Sequence, residues 1–158
     1  MTASRGRTHR GRPPRGLSLV EALVALVVLS VGLLGIAALY AESLLSGRTA
    51  LQRSQAVLLA SDLAERIRAN RAGGPAYDDA ISGAGALNDA CRQGGGGCPP
   101  EQMASYDKAE WTAAVKTALP NGAGAVAVRG SASRTYTISI RWTEPAIGSQ
   151  VYTLSIQP

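Results

Sequence analysis

A single carboxylate stands at the edge of the most apolar stretch of this 158-residue chain. Glu21 precedes twenty consecutive residues, Ala22 to Ala41, that carry no charge. A carboxylate beside a membrane span is costly, so Glu21 is a functional candidate by default and needs a partner. The amino-terminal end of a helix favours a negative charge, which suits this position. The alternative is a glutamate that only reaches the lipid headgroups.

The other residues capable of chemistry offer little for catalysis. The only histidine, His9, lies within the first sixteen residues, so Ser-His-Asp, Cys-His and histidine-metal sites are nearly excluded for the rest. Acids remain, such as Asp78, Asp79, Asp107 and Glu110. Adjacent or i, i+3 carboxylates on a loop or helix are usually solvated. An anchored periplasmic enzyme is therefore the weakest hypothesis, and we predict no catalytic residue, cofactor or metal.

The chain has two cysteines, Cys91 and Cys98. If their domain is exported, a disulfide between them can persist. The eight-residue loop is short enough to close, and the bond would stabilise the fold by roughly 2 to 3 kcal/mol. A metal site would need further ligands, and a free-thiol role is the other alternative. We predict a Cys91–Cys98 disulfide.

The positive charge of the chain is concentrated at its amino terminus. The net charge is +5, and the first sixteen residues contain five arginines and no acid. Eleven basic residues then remain against eleven acidic ones, so the rest of the chain is neutral. The net positive charge therefore belongs to a leader peptide and not to a surface that binds nucleic acid, and nucleic-acid binding is not indicated.

The uncharged run has the length of a transmembrane helix. Twenty residues at ~1.5 Å each give roughly 30 Å, which spans a bilayer core. The arginines before it predict a cytoplasmic amino terminus and an exported carboxy-terminal domain. A cleaved secretory signal would end in a small-x-small site, and the run instead continues through Leu39-Tyr40-Ala41-Glu42 without one.

The segment RGLSLVEALVALVVLSVGLLGIAAL, which begins at Arg15, resembles the class III signal of type IV prepilins. The resemblance implies that prepilin peptidase cuts after Gly16 and that Leu17 becomes the methylated amino terminus. The family usually has Phe where this chain has Leu17. It also implies that Glu21 meets the terminal amine of a neighbouring subunit, which would supply the partner that this carboxylate needs.

Beyond the bilayer the helical pattern continues without proline to Arg71. Its apolar positions recur at steps of three, four and seven and predict a packed face: Leu44, Leu45, Leu51, Leu58, Leu59, Leu63 and Ile67. The segment Ala72-Gly73-Gly74-Pro75 should stop this helix, and the residues from Tyr77 to Pro100 should be irregular surface structure.

A second helix and several strands are predicted to follow. The helix should run from Glu101 to Leu119, with Trp111 as a core anchor. Period-two alternation then predicts an antiparallel meander of three or four strands, connected by turns at Gly130–Ser133 and Glu144–Ser149. The fold class is α+β, with a long amino-terminal helix packed on a small antiparallel sheet and one additional helix. The predicted segments are a leader (1–16), a transmembrane half-helix (17–41), an amphipathic half-helix (42–71) and an exported domain (72–158).

Later segments resemble one pilin subgroup, the type IV pilus modification protein PilV family. They are LAERIRANRAG from Leu63, PPEQMASYDKAEW from Pro99, LPNG from Leu119 and TISIRWTE from Thr137. The resemblance implies a minor pilin that helps to initiate assembly and takes part in a tip complex for adhesion and motility. Its partners would be other minor and major pilins, prepilin peptidase, the inner-membrane assembly platform and a tip adhesin. The protein would sit in the bacterial inner membrane before assembly and on the pilus afterwards.

A second hypothesis keeps the same machinery in another system. A pseudopilin of a type II secretion system and a minor pilin of a competence pilus share the amino-terminal signal, so that signal does not separate them from a type IV pilus subunit.

Overall fold

A computed structural model describes residues 16, 18–79, 85–92, 97–131, 133–145 and 147–158. The chain divides between Leu44 and Leu45 into two compact units. The predicted leader (1–16), apart from Gly16, and the predicted methylation residue Leu17 lie outside the described residues.

Helix α1 spans Leu19–Ala69. In the first unit its residues are all exposed, and the helix is long and apolar enough to cross a membrane. It ends two residues before the predicted Arg71. A 3₁₀ helix, Arg71–Tyr77, follows after Asn70 and contains Pro75. The predicted irregular surface therefore begins with ordered structure, and Tyr77 is fully buried rather than on the surface.

Two further helices follow the 3₁₀ helix. Helix α2 is the short segment Asp89–Arg92, which the sequence did not predict, and helix α3 spans Pro100–Ala118. Pro100 occupies the first turn of α3, where a missing N–H costs nothing and the fixed φ suits a helix. The predicted bounds of this helix, Glu101 and Leu119, are thus each shifted by one residue.

The sheet is a three-stranded antiparallel meander in the order β1-β2-β3. Its strands are β1 (Ala123–Arg129), β2 (Thr135–Glu144) and β3 (Gly148–Ile156). Inner-face positions alternate along β2 and give the sheet its buried side: Tyr136, Ile138, Ile140, Trp142 and Glu144. Glu144 was expected in a turn and instead ends β2, paired with Gly148. The α+β prediction is confirmed.

The core of the second unit is built on small residues of α1. Ala56, Ala60 and Ala64 are buried together with Leu63 and Ile67. The leucines predicted for this face, Leu44, Leu45, Leu51 and Leu58, are instead exposed, and Leu59 is half-buried. Their period is helical, but the alanines lie on the side where close approach is needed, and an alanine side chain allows it.

Trp111 anchors the core, as the sequence predicts. Its indole is 2% exposed, and its Nε1–H donates a hydrogen bond of 2.9 Å to the carbonyl of Leu59. The ring lies directly over Gly124 of β1, where an added Cβ would collide with it. Glycine at this position therefore lets the sheet approach the largest side chain of the core.

Candidate functional site

The start of α1 is fixed by the residues around the predicted processing site. Ser18 precedes the helix, and its Oγ accepts a hydrogen bond of 3.2 Å from the backbone N–H of Glu21. The carbonyl of Ser18 accepts the first helical bond, from Ala22, at 3.1 Å. This is the geometry of a serine amino-terminal cap, which satisfies a helix donor that would otherwise have no partner. Glu21 consequently lies in the first turn of the helix.

Gly16 is exposed, and nothing lies within 4 Å of the position that a Cβ would take there. The predicted cleavage bond is therefore accessible on the Gly16 side. Leu17, its other residue, belongs to the part of the chain that is not described. Cleavage after Gly16 and methylation of Leu17 stay predictions.

The side chain of Glu21 is exposed. Among the described residues it forms no ion pair and accepts no hydrogen bond, so its charge is stabilised there only by the helix end. Helix dipoles stabilise an acid in the first turn by about 0.3 to 1 kcal/mol. That is small against the cost of holding a carboxylate beside hydrocarbon. Pairing with a cation from outside this helix would therefore strongly stabilise the charged form of Glu21.

The helix surface beyond Glu21 is apolar and has no cover in its own unit. The most apolar window of α1 is 0% buried. Single exposed apolar residues are ordinary in soluble proteins, but a continuous surface of this size marks a lipid or protein contact. Glu21 thus stands at the end of a surface that is suited to a nonaqueous environment.

The four acids that were expected to be solvated, Asp78, Asp79, Asp107 and Glu110, instead have partners within the second unit. Asp79 Oδ2 accepts from the N–H of Val126 at 2.6 Å, and Asp78 Oδ2 accepts from Val128 at 3.2 Å. The Nζ of Lys108, which is 1% exposed, lies 3.2 Å from Asp79 Oδ1. Both acids therefore cap the outer edge of β1.

A second group of acids surrounds Arg66 at the contact of α1 and α3. Arg66 Nη1 lies 3.3 Å from Asp107 Oδ1 and 2.6 Å from Glu110 Oε2. Burial acts to lower the pKa of the Arg66 guanidinium, but its hydrogen bond to Glu110 and the charges of Asp62 and Glu110 outweigh burial and raise it.

Tyr77 completes this group by donating to Asp107 Oδ2 at 2.7 Å. Burial, followed by this hydrogen bond, raises the pKa of the Tyr77 phenol above its ordinary value. Because each of these groups stabilises the charge or proton of another, the arrangement is that of a structural ion-pair network.

Cys91 and Cys98 are joined by a disulfide, in agreement with the sequence prediction. Cys91 is buried, and α2 carries it. Over the described ranges of the chain, no group of three or more His, Cys, Asp or Glu side chains could hold a metal ion.

Glu144, the most buried carboxylate among the described residues, was not predicted to be buried from the sequence. Glu144 is 1% exposed. Its Oε1 accepts hydrogen bonds of 3.2 Å from Arg53 Nε and from Trp142 Nε1. A signal for it existed, since Glu144 continues the inner-face alternation of Ile140 and Trp142. No local signal could pair it with Arg53, which lies 91 residues away.

Comparisons with known proteins agree with the class III signal. Residues 38–109 match the family model described as Type IV pilin Tt1218. Residues 12–37 match the model described as Prokaryotic N-terminal methylation motif. No curated protein and no solved structure matches the chain. The two family matches adjoin, so residues 12–109 are similar first to the amino-terminal methylation motif and then to a type IV pilin family.

Proposed function

We propose that the chain is a PilV-like minor subunit of a type IV pilus, cut after Gly16 and methylated at Leu17. The observation that carries this proposal is the Glu21 carboxylate, exposed and without an ion pair among the described residues, at the start of an uncovered apolar helix. When a subunit moves from the bilayer into a filament, contacts with neighbouring helices replace its contacts with lipid. The Glu21 carboxylate then pairs with the terminal amine that cleavage creates at residue 17 of a neighbouring subunit.

Before assembly the precursor is a single-pass inner-membrane protein with its carboxy-terminal domain in the periplasm. Five leader arginines, a membrane-length helix and the methylation-motif match support this location. Prepilin peptidase and the assembly platform act on it there. Other minor and major pilins and a tip adhesin are its later partners, and its contribution is packing against them.

Processing is tested by expressing the full precursor with and without prepilin peptidase. We expect peptidase to remove the first sixteen residues and the new Leu17 to carry one methyl group, both read by intact mass and amino-terminal sequencing. Gly16→Val should abolish cleavage, because a branched side chain would crowd the peptidase site. The matched control is Gly32→Ala, a second glycine with open space around it, which should be cut normally. Cleavage of the Gly16→Val precursor at the same bond would contradict the proposal.

Assembly is tested separately with Glu21→Ala. This variant should be processed normally and be at least about tenfold depleted from sheared pili, since a pairing of isolated charges is lost. Glu42→Ala, at the other end of the apolar run and also exposed, is the control and should be incorporated as the wild type is. Equal recovery of Glu21→Ala and wild type would remove the assembly role of Glu21.

The location of the processed wild-type protein separates the two pilus-related hypotheses. Recovery in sheared type IV pili, with loss of piliation on deletion, is expected of a minor pilin. Retention in the envelope with loss of protein secretion, or loss of DNA uptake alone, would instead assign the chain to a type II secretion system or a competence pilus.

A further inference from the structure

A small polar pocket opens where the 3₁₀ helix meets one end of the sheet. It has a volume of about 190 Å³ and is lined by Arg71, Ser133, Arg134, Tyr136, Gln157 and Pro158. We refer to it as the arginine pocket. It lies wholly within the second unit and shares no residue with the ion-pair networks described above.

The two arginines of this pocket, Arg71 and Arg134, have no acidic partner among the described residues. Throughout the described ranges, the ion pairs of the second unit include those of Arg53, Arg66, Arg68 and Lys108, and none involves Arg71 or Arg134. Two guanidiniums that line one small volume repel each other, so their arrangement favours an anion between them.

The side chain of Arg134 lies close to the backbone of the 3₁₀ helix at Gly74. Gly74 has a φ of +40°, and a Cβ at this glycine would come 3.3 Å from Nη1 of Arg134. The guanidinium therefore lies close over a buried glycine. The uncharged backbone at Gly74 does not neutralise the guanidinium.

Tyr136 adds an uncharged hydrogen-bond donor to the lining of the pocket. The residue is 2% exposed and packs edge-on against Tyr77, with ring centroids 6.4 Å apart. The hydroxyl of Tyr77 has a partner in Asp107, whereas within the described part of the chain the hydroxyl of Tyr136 makes no hydrogen bond. Among the described residues, the one buried side-chain oxygen or nitrogen without a partner is Gln52 Oε1, so the hydroxyl of Tyr136 is open to the pocket and its solvent. Because Tyr136 lines the pocket, this hydroxyl can donate to an acceptor that enters it.

The donors specify the chemistry of the occupant. Guanidinium groups match the planar geometry of a carboxylate with two parallel N–H bonds, and a phenol adds a third donor. The pocket holds about six times the ~30 Å³ of a liquid water, which is room for a carboxylate and one or two methylenes. Nucleic acids bind through many phosphate contacts along a track, and the two arginines of one small pocket do not form such a track.

We propose that the arginine pocket receives an aspartate or glutamate side chain from a neighbouring protein subunit. The identity of that subunit as another pilin rests on the proposed function, whereas the carboxylate specificity does not. The pocket thereby supplies a polar contact in the exported domain, separate from the apolar surface of α1.

Binding is tested with the full chain in detergent micelles, by following the Arg Nε–H signals in NMR spectra. The probes are N-acetyl-aspartate amide, N-acetyl-asparagine amide and inorganic phosphate. We expect saturable shifts with the aspartate probe only. Arg134→Gln and Tyr136→Phe should each bind about tenfold more weakly, as loss of one charge-assisted hydrogen bond predicts. Arg141→Gln is the control, since Arg141 is exposed elsewhere on the sheet.

The other outcomes are decisive. No saturable shift, equal binding of the asparagine probe, or tighter binding of phosphate would overturn the carboxylate assignment. In cells, Arg134→Glu should be processed normally but depleted from pili relative to Arg141→Glu, and equal recovery would overturn the intersubunit role. Failure of the Gly16 and Glu21 experiments would leave the NMR result unaffected, so the two proposals fail separately.

Discussion

The two units of this chain reach stability in opposite ways. From Ser18 to Leu44 every side chain is exposed, and the charged group at the start of the helix has no ion pair among the described residues. From Leu45 onward, an apolar core encloses even charged groups, including Lys108 and Glu144, each 1% exposed. The first unit depends on a surrounding medium or on neighbours, whereas the second carries its own core. A substitution should therefore affect folding in one unit and assembly in the other.

The largest expected effect that tests this comparison is on Trp111. Trp111→Ala should lower the free energy of unfolding of the second unit by about 3 to 5 kcal/mol, because it removes a large core side chain and its bond to Leu59. Urea unfolding of the full chain, followed by Trp142 fluorescence, measures it. Leu33→Ala, in the exposed helix, should change this value by less than about 0.5 kcal/mol. Similar losses for the two variants would show that the units are not independent.

The disulfide should have the next largest effect. Replacing both Cys91 and Cys98 by Ser should lower the free energy of unfolding by about 2.5 kcal/mol, the loop-closure value for eight residues. The same fluorescence measurement applies, with Ser43→Ala on the exposed helix as the control. A second unit as stable without the bond as with it would mean that the loop adds no constraint to the unfolded chain.

The smallest expected effect concerns Tyr77 at alkaline pH. The pKa of Tyr77 is raised in the folded chain, first by burial and then by its bond to Asp107. The unfolded chain releases this proton near pH 10, while the folded chain keeps it, so wild-type stability should fall as pH rises above about 10. Below that pH both states hold the proton, and the contribution is fully present.

Tyr77→Phe removes this dependence. Its stability should fall less steeply above pH 10 than that of the wild type, by at most about 1.4 kcal/mol per pH unit. At pH 7 the variant should be about 1 kcal/mol less stable, since Asp107 loses a donor. Parallel slopes for the two proteins in buffered urea titrations would contradict the assignment.

Features that depend on nearby residues could be predicted from the sequence. The uncharged run, the helix that begins at Pro100 and the alternation of β2 each follow from local periodicity or turn residues. The disulfide was predictable too, since the loop between Cys91 and Cys98 is short and the chain has no third cysteine.

Features that depend on distant partners could not be predicted. The pairing of Arg53 with Glu144 joins residues 91 positions apart, and Asp78 and Asp79 gain their role only when β1 lies beside them. The apolar spacing predicted the buried positions Leu63 and Ile67 of α1, but it also placed Leu51 and Leu58 on the packed face, where Ala56 and Ala60 are buried instead. The arginine pocket likewise exists only after the chain has folded.

The capping of β1 by Asp78 and Asp79 makes the two edges of the sheet different. Carboxylate oxygens occupy the outward N–H groups of Val126 and Val128, so an incoming strand finds these donors already taken. At the opposite edge, the nine residues of β3 carry no charge, and its strand pairing within the described chain is with β2 alone. Any enlargement of this sheet by another strand would therefore proceed from β3, so the domain has one closed and one open side.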